Sequence, residues 1–329
     1  MFDERWPAEA DELAEALDAV LVKYSAPDVL RSIDERHAAE STDGLGRLQQ
    51  ALEQLGLWDL PPEPLLVTRA AVSLGVHLTP VPFVSVTPCR IVLGETGIAN
   101  GVDRATVPAG VPRVAVATDG GIGIVDAPTE VRISAASEPL VLVDVSVATV
   151  QPIDGDADDL RAWGFLLEAA RLVGAAQALI RYGVAYVSDR KQFGVPVGSF
   201  QGVAHPLAEA ATAVQAADLL TRHAAYLAEN DGVLPLSAAV MAAAKARSAS
   251  RQAASTIHQA LGGYGFTIEA DCQLYSRRIR SWTSEMPDPT HWLADTARTL
   301  ADPSKRDKVK DLWQFDRGFT LPRWVREGD

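Results

Sequence analysis

Two short segments carry nearly all the side chains whose types and spacing suit a chemical task. In Tyr186-Val-Ser-Asp-Arg190-Lys-Gln192-Phe193-Gly194, an arginine, an amide and an aromatic ring share one four-residue stretch. Guanidinium forks match phosphate oxygens and rings stack on bases, so the trio suits a phosphate and an adenine edge. In Gln259-Ala-Leu-Gly262-Gly263-Tyr-Gly265-Phe266, an amide precedes three glycines. Glycines at a helix stop leave bare backbone that a ligand can approach closely. Each segment alone has a plainer reading, as cap and core side chains or as a simple helix end. Their occurrence in this order, roughly seventy residues apart, points to one shared ligand.

Helical patterns position both segments. Trp163, Leu167, Ala170, Gly174, Gln177, Ile180, Val184 and Val187 mark one face of a long helix that runs into Arg190. Phe200 to Glu229 predicts a second helix and Leu236 to Leu261 a third, with Ala239, Ala242, Ala246, Ala249 and Ala253 permitting close approach of neighbours. Asp271 to Trp282 and Trp292 to Leu300 supply two more, which implies a bundle of at least four helices. The first 75 or so residues also read as helical. Leu45, Leu48, Leu52 and Leu55 recur at helical steps after Ser41-Thr42-Asp43, a plausible cap, and Gly56 falls where that helix would stop. Pro61-Pro62-Glu-Pro64 breaks the pattern before Ala70 to Leu78 resumes it.

Between about 104 and 153 the chain changes character. Val114 to Thr118, Gly121 to Val125, Glu130 to Ser134 and Leu140 to Asp144 are short β-prone runs, with a hairpin signal at Asp119-Gly120-Gly121. Val84 to Cys89 is expected to lead straight towards these strands. The expected fold is mainly α with a small β domain: an N-terminal helical domain over 1–83, a shortened β domain over 84–153, and a C-terminal helical bundle with a tail over 154–329. The Asp154-Gly-Asp156-Ala-Asp158-Asp159 run is no calcium loop, because its sixth position is Asp159 rather than Gly and its twelfth is Phe165 rather than Glu. It reads as a linker and helix start. In the tail, Trp313, Phe315, Phe319 and Trp324 either pack back on the bundle or dock a partner.

A net charge of -13 over 329 residues argues against nucleic acid or an anionic membrane as partner. Only Cys89 and Cys272 are present, which fits a reducing cytoplasm, and neither a leader nor an eighteen-residue apolar run is apparent. The expected location is cytoplasmic. His37, His77, His205, His223, His258 and His291 show no ligand spacing, so no metal site is supported.

The two segments together resemble the acyl-CoA dehydrogenase family. The resemblance implies that Arg190, Gln192 and Phe193, with Gln259, Gly262 and Gly263, hold the ADP half of an FAD bound mainly by a neighbouring subunit. The reaction it implies is α,β-desaturation of an acyl-CoA, in which a carboxylate takes the α-proton while hydride leaves the β-carbon for the flavin. The family's base is a Glu at one of two places, and counting along this chain puts those places at Gly164 and Met286, neither of which accepts a proton. Glu285 and Glu168 lie nearby and are second-line candidates. Glu285-Met-Pro287-Asp-Pro289 reads as a loop, which counts against Glu285, and a solvated carboxylate is the default for both. The family's Thr-Glu-Pro and Trp-x-Thr flavin-ring segments are missing between residues 84 and 153.

The combined expectation is a subunit without its own base that completes the FAD site of a longer catalytic paralogue, which binds most of the acyl-CoA. This pattern is similar to the shorter subunit of actinobacterial heterotetrameric (α2β2) dehydrogenases acting on steroid side-chain CoA thioesters. Two alternatives stay open: an active homo-oligomer using Glu285 or Glu168, and a flavin-free scaffold.

Overall fold

The computed structural model describes residues 5–302 apart from 39–42, 135, 137 and 147. Five helices come first: α1 (Ala8–Tyr24), α2 (Pro27–Ala38), α3 (Asp43–Gln54), α4 (Pro64–Val76) and α5 (Phe83–Leu93). Leu48 and Leu52 of α3 are fully buried, as the leucine spacing predicts, and Gly56 ends the segment at a φ of +77°. Pro64 opens α4 rather than interrupting it, since proline at the first helical position gives up no hydrogen bond. Helix α5 corrects the expectation that residues 84 onward lead straight into strands. Its β-branched residues and its internal Pro88 disfavour helix locally. Burial of Phe83, Val84, Thr87, Pro88 and Cys89 overrides that preference.

Seven strands follow: β1 (Ile98–Asn100), β2 (Thr106–Pro108), β3 (Arg113–Thr118), β4 (Gly121–Asp126), β5 (Val131–Ile133), β6 (Pro139–Leu142) and β7 (Gln151–Ile153). One sheet has the order β1-β3-β4-β7 and the other β2-β6-β5. Among the described residues, only β1 against β3 is parallel in these two sheets. The hairpin signal is realised at β3 and β4, where Thr118 pairs with Gly121 across Asp119-Gly120. Ile98, Ala115, Ile122, Ile124 and Cys89 form the small core that seats the first sheet against α5.

The rest of the chain is helical. Helix α6 (Ala157–Asp189) has 33 residues and spans roughly 50 Å at the usual helical rise. Asp156 caps it by accepting the Asp158 backbone N–H at 2.8 Å, so the acidic run is a helix start. After a short hairpin, β8 (Lys191–Gln192) and β9 (Val195–Pro196), come α7 (Gln201–Asp231), α8 (Leu236–Leu261), α9 (Cys272–Glu285) and α10 (Pro289–Ala301). Helix α6 is long and apolar enough to cross a bilayer, but 83% of its apolar window is buried inside the protein. It is the central helix of the bundle. Val184, on the face predicted to be buried, is 44% exposed, while Gly183 and Val187 on either side of it are buried, so only a narrow stripe of the last turns of α6 faces the core.

Close helix contact is set by small residues. A β-carbon at Gly174 of α6 would sit 2.0 Å from the Val72 carbonyl oxygen, and one at Gly75 of α4 would sit 2.1 Å from that of Arg171. The two backbones therefore touch where they cross. Ala239, Ala242, Ala246, Ala249 and Ala253 are all buried along α8, which packs on α6 and α7 as the spacing predicts. The tail aromatics Trp313, Phe315, Phe319 and Trp324 lie outside the described residues.

Candidate functional site

The segment that begins at Arg190 is a two-residue hairpin rather than a plain helix turn. Gln192 pairs with Val195 across the loop Phe193-Gly194, and both loop residues have positive φ, +53° and +83°. A tight turn of this kind follows the twist of its strands and is ordinarily filled by Asn-Gly. A phenylalanine there holds a conformation that costs about 1–2 kcal/mol. The return is position: Phe193 stands 93% exposed at the tip, edge-on to Phe200 at 6.3 Å. Strain at an exposed aromatic marks a functional contact more readily than a packing one. Arg190 caps α6, its N–H donating to the Tyr186 carbonyl and its own carbonyl accepting from Val197 at 2.7 Å. Arg190, Lys191 and Gln192 are exposed beside Phe193.

The second segment turns sharply out of α8. Gly262 sits at φ +59°, ψ -139°, and the chain continues as a 3-10 turn over Gly262–Phe266. Added β-carbons at Gly262 and Gly263 meet nothing within 4 Å, so this backbone faces open space. Gln259 is exposed on the last turn of α8, and Phe266 is 79% exposed. What joins the two segments is a pair of rings that sequence reading passed over: Tyr186 stacks on Tyr264 at 5.4 Å with 12° between planes. His258 is a satisfied helix histidine, its Nε2 lying 2.8 Å from the Ser276 hydroxyl. The arrangement fits the ADP end of FAD as an open ledge of cation, amides, ring and bare backbone, not as an enclosed pocket.

The places where a base is expected look different. Gly164 lies on α6 against Asn100, and a β-carbon there would be 2.6 Å from the Asn100 Nδ2. Asn100 is itself fixed, donating to the Leu160 carbonyl at 3.0 Å and accepting from the Val102 N–H at 3.1 Å. No larger side chain fits at 164 while Asn100 keeps that position. Met286 is buried at the C-terminal cap of α9.

Neither nearby carboxylate is a solvated one. Glu168 is 1% exposed and is clamped by two guanidinium groups, Arg104 at 3.0 Å and Arg171 at 2.5 Å. Burial alone would raise its pKa, but Arg171 and Arg104 outweigh that and hold it below the ordinary carboxylate value. Glu285 is the last residue of α9, not part of a loop, and it bonds to the Ser281 hydroxyl. Burial raises its pKa, assisted by Glu138 and Glu168 and opposed by Ser281 and Arg171. Both glutamates, with Glu138, Arg104 and Arg171, line one small cavity of about 130 Å³ between the strands and the bundle.

The network continues beyond the cavity. Arg171 lies over the Trp282 ring at 4.1 Å, Trp282 donates to Glu138 at 2.8 Å, and fully buried Arg278 bridges Glu138 and Asp34. Arg171 lies three residues beyond Glu168, a helical pairing distance that sequence reading passed over. Arg104, 64 residues away, had no signal at all. Among the described residues no group of three or more His, Cys, Asp or Glu is placed to hold a metal.

Residues 164–284 match the family described as acyl-CoA dehydrogenase, C-terminal domain. That stretch, from within α6 to the last turn of α9, resembles an acyl-CoA dehydrogenase C-terminal domain. Its relatives extend the likeness in different ways. Acyl-CoA dehydrogenase FadE34 of Mycobacterium tuberculosis is 34% identical over 169 residues, which take in 51% of this chain and 23% of that protein. Acyl-CoA dehydrogenase IpdE2 of Mycolicibacterium smegmatis is 29% identical over 87% of this chain and 96% of its own length. Among solved structures, the ChsE4-ChsE5 complex from Mycobacterium tuberculosis superposes with a TM-score of 0.74 at 18% identity, covering 92% of this chain and 99% of that one. The Tcur3481-Tcur3483 steroid ACAD variant gives the same TM-score and identity over 89% and 98%. The fold of the acyl-CoA dehydrogenases, helices before and after a small strand region, is thus present over about nine-tenths of the chain.

Proposed function

We propose that this chain is a subunit of a flavin-dependent acyl-CoA dehydrogenase that completes the ADP site of a FAD held by a longer paralogous subunit and supplies no base of its own. One contrast carries the reading. The ledge of Arg190, Gln192, Phe193, Gln259, Gly262 and Gly263 is open to a neighbour, while at the base positions Gly164 is backed by Asn100 and the nearby Glu168 is committed to Arg104 and Arg171 on the wall of the cavity. When bound, FAD would supply hydride acceptance. This chain's residues would grip its adenine and phosphates.

The structural likeness to ChsE4-ChsE5 and Tcur3481-Tcur3483, each named as a pair, supports a heteromeric α2β2 partner. The acyl group is assigned as a steroid side-chain thioester on the resemblance, and one of those structures is named a steroid ACAD. Two buried free thiols, Cys89 and Cys272, suit a reducing cytoplasm.

A second reading has one observation in its favour: Glu285 reaches the cavity with a raised pKa, as a base in an acyl site would. Glu285→Gln separates the two in the assembled enzyme. Turnover within about twofold of the parent is expected. A loss of about a thousandfold, the scale on which removal of a proton acceptor shows, makes Glu285 the base and the chain catalytic.

A further inference from the structure

On the flank of Gln259 away from the hairpin, α8 and α9 enclose a cleft of about 560 Å³ whose chemistry runs against the rest of the chain. The protein carries 43 acidic and 30 basic residues, yet no carboxylate lines this cleft and three arginines do. Arg277 is tied to Asp34 at 3.3 Å. Arg251 and Arg280 have no acidic partner among the described residues. Arg251 is anchored through its Nε to the Thr283 hydroxyl at 3.0 Å, which fixes the side chain without neutralising it. Two guanidinium groups that share one cleft without counter-charge repel each other, and that arrangement is relieved by a polyanion.

The remaining lining says which polyanion. Phe266 and His258 place two rings at the mouth, 5.6 Å apart and tilted by 40°, while Ser255 and Gln259 add a hydroxyl and an amide. Rings with forked cations and neutral hydrogen-bonding groups suit a phosphorylated nucleotide better than a simple carboxylate. Gln259 belongs to this cleft and to the proposed ADP ledge, so the two surfaces are continuous.

We propose that Arg251 and Arg280 form a cationic subsite for the phosphates of an adenine nucleotide, extending the ledge across Gln259. The inference rests on the proposed function for its ligand class, since the nucleotide is either the partner-held FAD, through its diphosphate, or CoA, through its 3′-phosphate.

Titrating the full chain calorimetrically with ADP and with adenosine 3′,5′-bisphosphate at low salt tests this, using the parent, the double variant Arg251→Gln/Arg280→Gln and the single variant Arg190→Ala. Losing two charge-assisted contacts is expected to weaken at least one probe by about a hundredfold, with steeper salt dependence in the parent. A double variant that loses mainly ADP assigns the subsite to FAD, and one that loses mainly the bisphosphate assigns it to CoA. The double variant binding both probes like the parent overturns the subsite. If Arg190→Ala alone then weakens ADP, the ADP ledge survives that failure; if neither variant changes binding, both fall. The corresponding Lys/Lys variant keeps charge and loses the forks, so recovery of about half the lost free energy separates phosphate recognition from a folding defect, which circular dichroism also reads.

Discussion

Glu168 joins the central helix to the strand region by a single side chain, bonded to Arg171 on its own helix and to Arg104 between β1 and β2. Replacing it with glutamine keeps its shape but leaves Arg104 and Arg171 buried against each other without a counter-charge. The expected cost is about 3–5 kcal/mol in chemical unfolding. Because the folded state holds the Glu168 carboxyl below its ordinary pKa of 4.5, its contribution is present above that value and is lost as pH falls through the lower folded one. The parent should lose stability on acidification where the Glu168→Gln variant loses less. Equal slopes of stability against pH would remove Glu168 from the account. This also sets what sequence could say about the site. The Arg190 and Gln259 segments were legible because each packs its chemistry into a few consecutive residues. The clamp was not, because Arg104 and Glu138 reach it from strand-region loops whose register no local pattern specifies. For the same reason Glu168 and Glu285 were expected in solvent and are found facing a common cavity.

Helix-scale features were read more fully than strand-scale ones. The long apolar and alanine stripes fixed α6, α7 and α8 nearly to the residue, since a 3.6-residue period over thirty positions leaves little choice. Short elements gave too little pattern. Strands β1 and β2 have three residues each, and α5 is built from residues that favour extended chain. The tightest element-level constraint is the crossing of α4 and α6 at Gly75 and Gly174. Gly174→Ala would place a methyl group 2.0 Å from the Val72 carbonyl oxygen, and backbone there has no side chain to swing away. A loss of about 3 kcal/mol is expected, against the gain of up to about 1 kcal/mol that alanine brings to an unconstrained helix. Thermal melting decides it, and an unchanged or raised midpoint would mean the helices do not meet there.

At the scale of the whole molecule, a small ion-paired cavity between the strands and the bundle contrasts with the exposed ledge proposed for a nucleotide. The helical bundle turns the hairpin and the glycine turn outward together, locked by the Tyr186–Tyr264 stack. The Arg278–Asp34 and Arg278–Glu138 bridges and the Glu168 clamp tie α2 and the strand region to the bundle. On the proposed function, the ledge is complete only when another subunit brings the flavin ring, which makes flavin content depend on company. The direct measurement is FAD per polypeptide, by absorbance and quantitative amino-acid analysis, for this chain purified alone and after coexpression with a longer acyl-CoA dehydrogenase paralogue. The expected result is no bound flavin alone and one FAD for each pair of unlike subunits in the complex, falling when Arg190 is replaced by alanine. One FAD per chain in the protein purified alone, with oxidation of an acyl-CoA, would contradict the division of labour proposed here.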